Sequence, residues 1–178
     1  VVALRPPGVY GPRDSDFLSL FQSVARGVAP VLGSLDRLYS MIHAGDVADA
    51  HIAAARASGT AGRPYMVAHP DPVSGDQIVA AVEGAVGRRA RRLVLPEHLV
   101  RLVGDVIELG SQLTGRASIL GRQRIRELSR AHWVCAPAAL EADTGWRAAF
   151  DLEAGFADTA AWYRREGLLP ERSRAWDR

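Results

Sequence analysis

The stretch VVALRPPGVYGPRD, residues 1–14, determines how the rest of the chain is interpreted. Its opening residues are apolar and predict a buried strand over residues 1–5. Pro6, Pro7 and Pro12 exclude a helix and predict a rigid, irregular loop that extends to about Asp14. Buried strands seldom begin an independent domain, so we expect this strand to belong to a larger sheet.

Downstream of the loop, strand patterns alternate with helix patterns. Short apolar segments between turn residues predict strands at about residues 29–33, 39–43, 63–68 and 91–96. Apolar residues at helical spacing predict helices at about residues 16–26, 46–57, 74–86, 97–114, 122–130, 137–145 and 151–169. This alternation predicts an α/β sheet with a helical C-terminal lobe.

Two of the predicted helices carry clear start signals. Asp46 is predicted to be the N-cap of the second helix, with Asp49 as an acidic residue in its first turn. Ser74 and Gln77 predict a capping box at the start of the third helix, which is expected to end at Gly87.

Composition limits the classes of function. The 178 residues are 48% hydrophobic and 24% charged, which is typical of a soluble globular domain with a core. No uncharged apolar run of about 18 residues occurs, so no membrane span is predicted. Every basic residue is an arginine, the net charge is only +2, and the run GRRARR at residues 87–92 fits a solvated loop, so nucleic acid is not an expected partner. The single cysteine, Cys135, excludes an internal disulfide and favours a cytoplasmic location.

Five segments occur in a fixed order: LRPPGVYGPRD, SMIHAGDVADAHIAA, GRPYMVA, VSGDQIVAAVEGAVGR and LEADTGWRAAFDLEAGFADTAAWYRREGLL. Together they resemble the C-terminal half of an extended short-chain dehydrogenase/reductase, in the NAD-dependent epimerase/dehydratase and 3-beta-hydroxysteroid dehydrogenase-like group. The resemblance implies the C-terminal part of a Rossmann-type NAD(P)-binding fold with a mostly helical substrate-binding lobe. It also implies that residues 1–178 are one half of a domain whose N-terminal Rossmann half is absent from this chain.

The resemblance assigns site residues by family position. In the longer parent, NAD or NADP would pass beside the proline-rich loop, where peptide groups can hydrogen-bond the nicotinamide end and Gly8 allows close approach. The expected cofactor contacts are Pro6, Pro7, Gly8 and Val9. The residues expected on the substrate side are Tyr10, Phe17, Arg37 and Tyr39. The family binds no metal, so His43, Asp46 and His51 are not expected to form a metal site.

One departure from the family pattern bears on the substrate. Members that act on nucleotide sugars commonly carry an arginine where this chain has Tyr39, and the nearest arginine here is Arg37. Tyrosine lacks the charged, forked group that grips a diphosphate. The sequence therefore favours a sterol-like or other apolar alcohol or ketone, although a sugar derivative remains open.

The chain lacks the groups that the family uses for catalysis. It has no glycine-rich turn for the pyrophosphate and no lysine for a Tyr-x-x-x-Lys pair, so we expect no catalytic residue in it. The predicted function is a fragment of an NAD(P)-dependent oxidoreductase or epimerase/dehydratase that is inactive alone. A non-catalytic dinucleotide-binding sensor of the same fold is the alternative. Expected partners are a small-molecule substrate and the missing half; a homodimer remains open.

Overall fold

The computed structural model describes residues 1–32, 34–95 and 132–170. Its strands are β1 Ala3–Arg5, β2 Gly8–Tyr10, β3 Val28–Leu32, β4 Leu38–Tyr39, β5 Met41–His43, β6 Pro64–Met66, β7 Val73–Ser74, β8 Arg91–Leu95 and β9 His132–Trp133. Its helices are α1 Leu18–Ala25, α2 Ala44–Arg56, α3 Gly75–Val86, α4 Ala138–Thr144 and α5 Leu152–Arg165. The helices predicted at 97–114 and 122–130 lie outside the described residues.

The strands form several small parallel ladders. β1 pairs with β6, β2 pairs with β5, and β3 pairs with β8, all in parallel. β4 lies between β7, which is antiparallel to it, and β9, which is parallel. Parallel strands joined through helices confirm the predicted α/β class.

The proline-rich loop is shorter than predicted. Residues 8–10 form β2 rather than irregular loop, and they pair in register with Met41, Ile42 and His43. The prolines exclude a helix but permit extended backbone, and β2 begins after Pro7, so no proline lies within its ladder.

The strand predicted at residues 39–43 is split at Ser40. The part before Ser40 is β4, and the part after it is β5, and the two pair with different strands. The backbone N–H of Ser40 donates a hydrogen bond to the carbonyl oxygen of Trp133 (2.8 Å), while Gly8 donates to the Ser40 carbonyl (3.3 Å). The residue therefore joins two ladders, which a local sequence pattern does not reveal.

The start of α2 differs from the prediction. His43, not Asp46, is the N-cap, and its Nδ1 accepts a hydrogen bond from the Gly45 N–H (3.2 Å). Asp46 is the acidic residue of the first turn, the place predicted for Asp49. The helix begins earlier than expected because Ala44 and Gly45 follow β5 directly and continue into its first turn.

The other helix predictions agree with the structure. The capping box of Ser74 and Gln77 is present at α3, and Gly87 ends that helix in the left-handed conformation (φ 78°). In α5, Phe156, Ala160 and Tyr163 are fully buried against α1 and α3. Among the helices of the described ranges, none is both long enough and apolar enough to cross a lipid bilayer.

Candidate functional site

A cavity of about 400 Å³ opens between the proline-rich segment, β4, β5 and the end of β9. Most of its wall is apolar or aromatic, and none of its described lining residues is an arginine or a histidine. Its described lining residues are Pro7, Gly8, Val9, Asp16, Phe17, Tyr39, Ser40, Met41, Ile78 and Trp133.

One wall of this cavity contains three of the four predicted cofactor contacts, Pro7, Gly8 and Val9. Pro6 is exposed and is not among the lining residues. Within the described part of the chain, β2 pairs with another strand on one edge only, the edge that faces β5. The assignment of this segment as the nicotinamide wall that the resemblance implies stays a prediction.

Gly8 has a packing role in addition to the predicted one. A Cβ atom placed on Gly8 would lie 2.8 Å from the Met41 sulfur and 3.4 Å from the carbonyl oxygen of Ser40. A larger residue would have to displace the buried Met41 side chain. Close packing against Met41 of the neighbouring strand β5 is therefore one reason for a glycine at this position.

The predicted substrate-side residues separate into two groups. Phe17 and Tyr39 line the large cavity, whereas Arg37 is not among its lining residues. Two of the three aromatic residues in the predicted set therefore line the cavity, and the predicted cation does not.

Tyr10 lies away from the large cavity. Its ring is 2% exposed, contacts Phe156 edge-on (centroids 4.6 Å apart), and lines a separate cavity of about 140 Å³. Its hydroxyl donates to the carbonyl oxygen of Asp151 (3.4 Å). Burial, with a smaller contribution from the charge of Asp46, raises the pKa of Tyr10 far above its usual value, so the phenol stays protonated. In this chain Tyr10 is part of the core.

Asp46 fixes the segment that precedes α5. Its buried carboxylate accepts hydrogen bonds from the backbone N–H groups of Ala149 (2.9 Å) and Phe150 (3.2 Å). The ring of Phe150 in turn stacks on His43, with centroids 4.0 Å apart. Asp46 thus joins the first turn of α2 to the C-terminal segment.

Five cavity residues are not among the predicted site residues: Asp16, Ser40, Met41, Ile78 and Trp133. Trp133 comes from a segment distant in sequence, and it lies beside Tyr39 because the two residues pair in register between β4 and β9. In the sequence, the only local sign of Trp133 as a notable residue is the apolar pair Trp133 and Val134, which follows a polar segment.

Comparison with known proteins identifies related sequences. The chain is 32% identical over 169 residues to a ceramide reductase of Caulobacter vibrioides, and the match covers 94% of this chain and 52% of that protein. It is 26% identical to a decarboxylating sterol-4-alpha-carboxylate 3-dehydrogenase of Saccharomyces cerevisiae, over 94% of this chain and 50% of that protein. The chain therefore spans about half the length of these curated relatives.

Solved structures share the fold. A UDP-glucose 4-epimerase of Thermus thermophilus in complex with NAD superposes with a TM-score of 0.65 at 20% identity, over 92% of this chain and 46% of that one. The predicted Rossmann-type fold is confirmed, and NAD is bound in this neighbour, in agreement with the cofactor that the resemblance implies. The sequence model of the 3-beta hydroxysteroid dehydrogenase/isomerase family matches residues 1–96, more than half of the chain. The chain belongs to the 3-beta hydroxysteroid dehydrogenase/isomerase family.

Proposed function

We propose that residues 1–178 are the C-terminal half of an NAD(P)-dependent oxidoreductase that interconverts a hydroxyl and a carbonyl group on an uncharged, apolar small molecule. In this proposal the chain supplies the nicotinamide-side wall and the substrate pocket. The remaining half supplies the pyrophosphate site and the proton-relay residues.

The observation that carries the proposal is the chemistry of the large cavity. It includes the Pro7–Gly8–Val9 wall, three aromatic side chains line it (Phe17, Tyr39 and Trp133), and its described lining residues include no cation. A diphosphate requires charged donors, most effectively the forked guanidinium of arginine. An apolar wall instead favours a ligand whose burial removes hydrocarbon from water.

The names of the relatives support the same substrate class. One relative is a ceramide reductase and another is a sterol dehydrogenase, and the first is the more similar by identity. The epimerase neighbours share the fold at 20% identity or less, so they support only the architecture.

The division of work between the two halves follows from the residues that are present. When bound, NAD(P)H would supply the hydride for carbonyl reduction. Pro7, Gly8 and Val9 would hold the nicotinamide end, and the aromatic residues around them would exclude water from the reacting carbon. This chain has no lysine to lower the pKa of a tyrosine, so in this proposal the remaining half supplies the proton for the carbonyl oxygen.

The test uses the full natural polypeptide that contains residues 1–178. It is incubated with NADH or NADPH and with a linear methyl ketone series (octanone, decanone and dodecanone) or with cholestanone. The reaction consumes one reduced dinucleotide and one proton per ketone and yields the secondary alcohol, so loss of absorbance must match the alcohol formed.

We expect dinucleotide-dependent reduction of at least one of these ketones and no conversion of UDP-glucose to UDP-galactose. Epimerisation of UDP-glucose without ketone reduction would overturn the proposed substrate class. Tight dinucleotide binding without turnover of any compound would favour the sensor instead of the enzyme.

A further inference from the structure

Part of the aromatic wall of the large cavity is formed by two segments that are far apart in sequence. β4 and β9 run parallel, and Tyr39 pairs in register with Trp133. Paired residues on neighbouring strands project to the same face of a sheet, so both side chains lie on one face of the β4–β9 pair. Both line the cavity, and Trp133 is 41% exposed. An exposed indole on an open cavity presents a flat apolar surface to a ligand.

Ser40 fastens the Trp133 segment to this wall. Its hydroxyl donates to the carbonyl oxygen of Cys135 (3.1 Å) and accepts from the Cys135 N–H (3.0 Å). Its backbone N–H also donates to the carbonyl oxygen of Trp133 (2.8 Å). Ser40 is 2% exposed, and Cys135 is partly buried. The serine hydroxyl thus adds two hydrogen bonds to the β4–β9 pairing, at the residue where the chain passes from β4 to β5.

We infer that Trp133 is a specificity-determining residue of the substrate pocket and that Ser40 is the residue that positions it. This inference rests on the proposed function, because it assigns the wall of the same cavity. Trp133 recognises the apolar body of the substrate away from the reacting carbonyl. It therefore contributes to binding the substrate and the transition state alike, which affects KM rather than kcat.

The first experiment compares Trp133→Ala and Trp133→Phe with a matched control, Val134→Ala, in the full natural polypeptide. Val134 is adjacent, apolar and 48% exposed, and it is not among the residues that line the cavity. For dodecanone we expect KM to rise about tenfold in Trp133→Ala with kcat nearly unchanged, because an apolar contact of one ring is lost. The KM of Trp133→Phe should lie between those of the wild type and Trp133→Ala, and the KM of Val134→Ala should match that of the wild type.

Chain length supplies an internal check. The KM increase in Trp133→Ala should be smaller for octanone than for dodecanone, since a shorter chain covers less of the wall. Equal KM values in Trp133→Ala and the wild type, or equal effects of Trp133→Ala and Val134→Ala, would overturn the inference.

A double-mutant cycle tests the role of Ser40. If Ser40 acts by positioning the indole, Ser40→Ala raises KM in the wild-type background and adds nothing further in the Trp133→Ala background. Independent, additive effects would show that Ser40 is a general structural residue. Far-UV circular dichroism and thermal unfolding of each variant identify any variant that fails to fold. If Trp133→Ala fails to fold, Trp133→Phe still tests the role of the indole.

A binding measurement separates this inference from the proposed function. Dodecanone should change the tryptophan emission of the wild type and of Val134→Ala, and the change should be lost in Trp133→Phe. Absence of ketone turnover in the wild type would contradict the proposed function. Turnover in the wild type with unchanged emission and unchanged KM in the Trp133 variants would contradict only the role of Trp133.

Discussion

Asp46 is almost completely buried, at 1% exposure, and it holds two backbone N–H groups of the segment that leads into α5. Removing a buried acceptor leaves its donors without partners, and each such loss costs about 1–3 kcal/mol. Because the carboxylate joins α2 to a segment about a hundred residues later, its contribution belongs to the tertiary structure and not to the helix alone.

We predict that Asp46→Ala lowers the free energy of unfolding by about 2–4 kcal/mol in the full natural polypeptide, since two donors lose their acceptor. Urea denaturation followed by circular dichroism measures the change. Asp49→Ala is the matched control: Asp49 lies on the same helix and is exposed, so its effect should stay within about 0.5 kcal/mol. Similar losses in both variants would contradict the role assigned to Asp46.

Two buried tyrosines give a pH dependence. Burial raises the pKa of Tyr10 and of Tyr163 above the usual range, and the Tyr163 hydroxyl donates to the carbonyl oxygen of Asp14 (2.6 Å). An unfolded tyrosine ionises near pH 10. Below that pH the phenols are protonated in both states, and above it only the unfolded state loses the protons.

We therefore predict that the free energy of unfolding falls as the pH rises above about 10, with about one proton released on unfolding for each of these tyrosines. Denaturation at a series of pH values between 9 and 11.5 measures the slope. Tyr10→Phe should reduce the slope by about one proton, and an unchanged slope in that variant would contradict the assignment.

At the scale of the elements, two glycines in helices have opposite surroundings. A Cβ on Gly155 of α5 would contact the Tyr10 hydroxyl and lie 2.8 Å from Cε2 and 2.9 Å from Cζ of that ring. A Cβ on Gly84 of α3 would meet no atom within 4 Å. Gly155 thus sets how closely α5 approaches β2, whereas Gly84 only makes its helix less favourable.

We predict that Gly155→Ala destabilises the protein by about 1–3 kcal/mol, because the methyl group must push α5 away from Tyr10. Gly84→Ala should stabilise the protein by about 0.5–1 kcal/mol, because alanine has the higher helix propensity and nothing obstructs it. Chemical denaturation of the two variants in parallel tests both signs, and the same sign for both would show that α5 packs differently.

At the scale of the whole molecule, the described sheet is composed of short ladders with open edges. β1 has one partner strand among the described residues, β6, and its Leu4 side chain is only partly buried. Under the proposed function, the missing half completes this sheet and carries the pyrophosphate site. The isolated chain would then retain the nicotinamide wall but lose most of the contacts that bind a dinucleotide.

We predict that residues 1–178 alone bind NAD(H) and NADP(H) no more tightly than about millimolar, whereas the full natural polypeptide binds in the micromolar range. Isothermal calorimetry on both proteins measures the difference. Circular dichroism of each protein accompanies its titration and shows whether that protein is folded. Micromolar binding by the short form would show that this chain holds more of the cofactor site than we propose.

Local signals were sufficient for much of the fold. The prolines ruled out helix over the first loop, and the Ser74 capping box and the αL glycine at Gly87 located α3, because caps and turns depend on residues close in sequence. The same locality explains two errors. The pattern at residues 8–10 predicts loop where the structure has β2, and the pattern at Asp46 predicts an N-cap where the structure has His43, because neither pattern shows what packs against it.

The sequence by itself therefore determined the family and the α/β class, through ordered motifs that depend on neighbouring residues, whereas the cofactor-side segment stays a prediction. Only the tertiary structure decided the composition of the cavity. In the structure Tyr39 pairs in register with Trp133, Tyr10 is buried in the core, and Arg37 is not among the residues that line the cavity. The physical reason is that strand register and side-chain packing join segments far apart in the chain, and no local pattern encodes which of them meet.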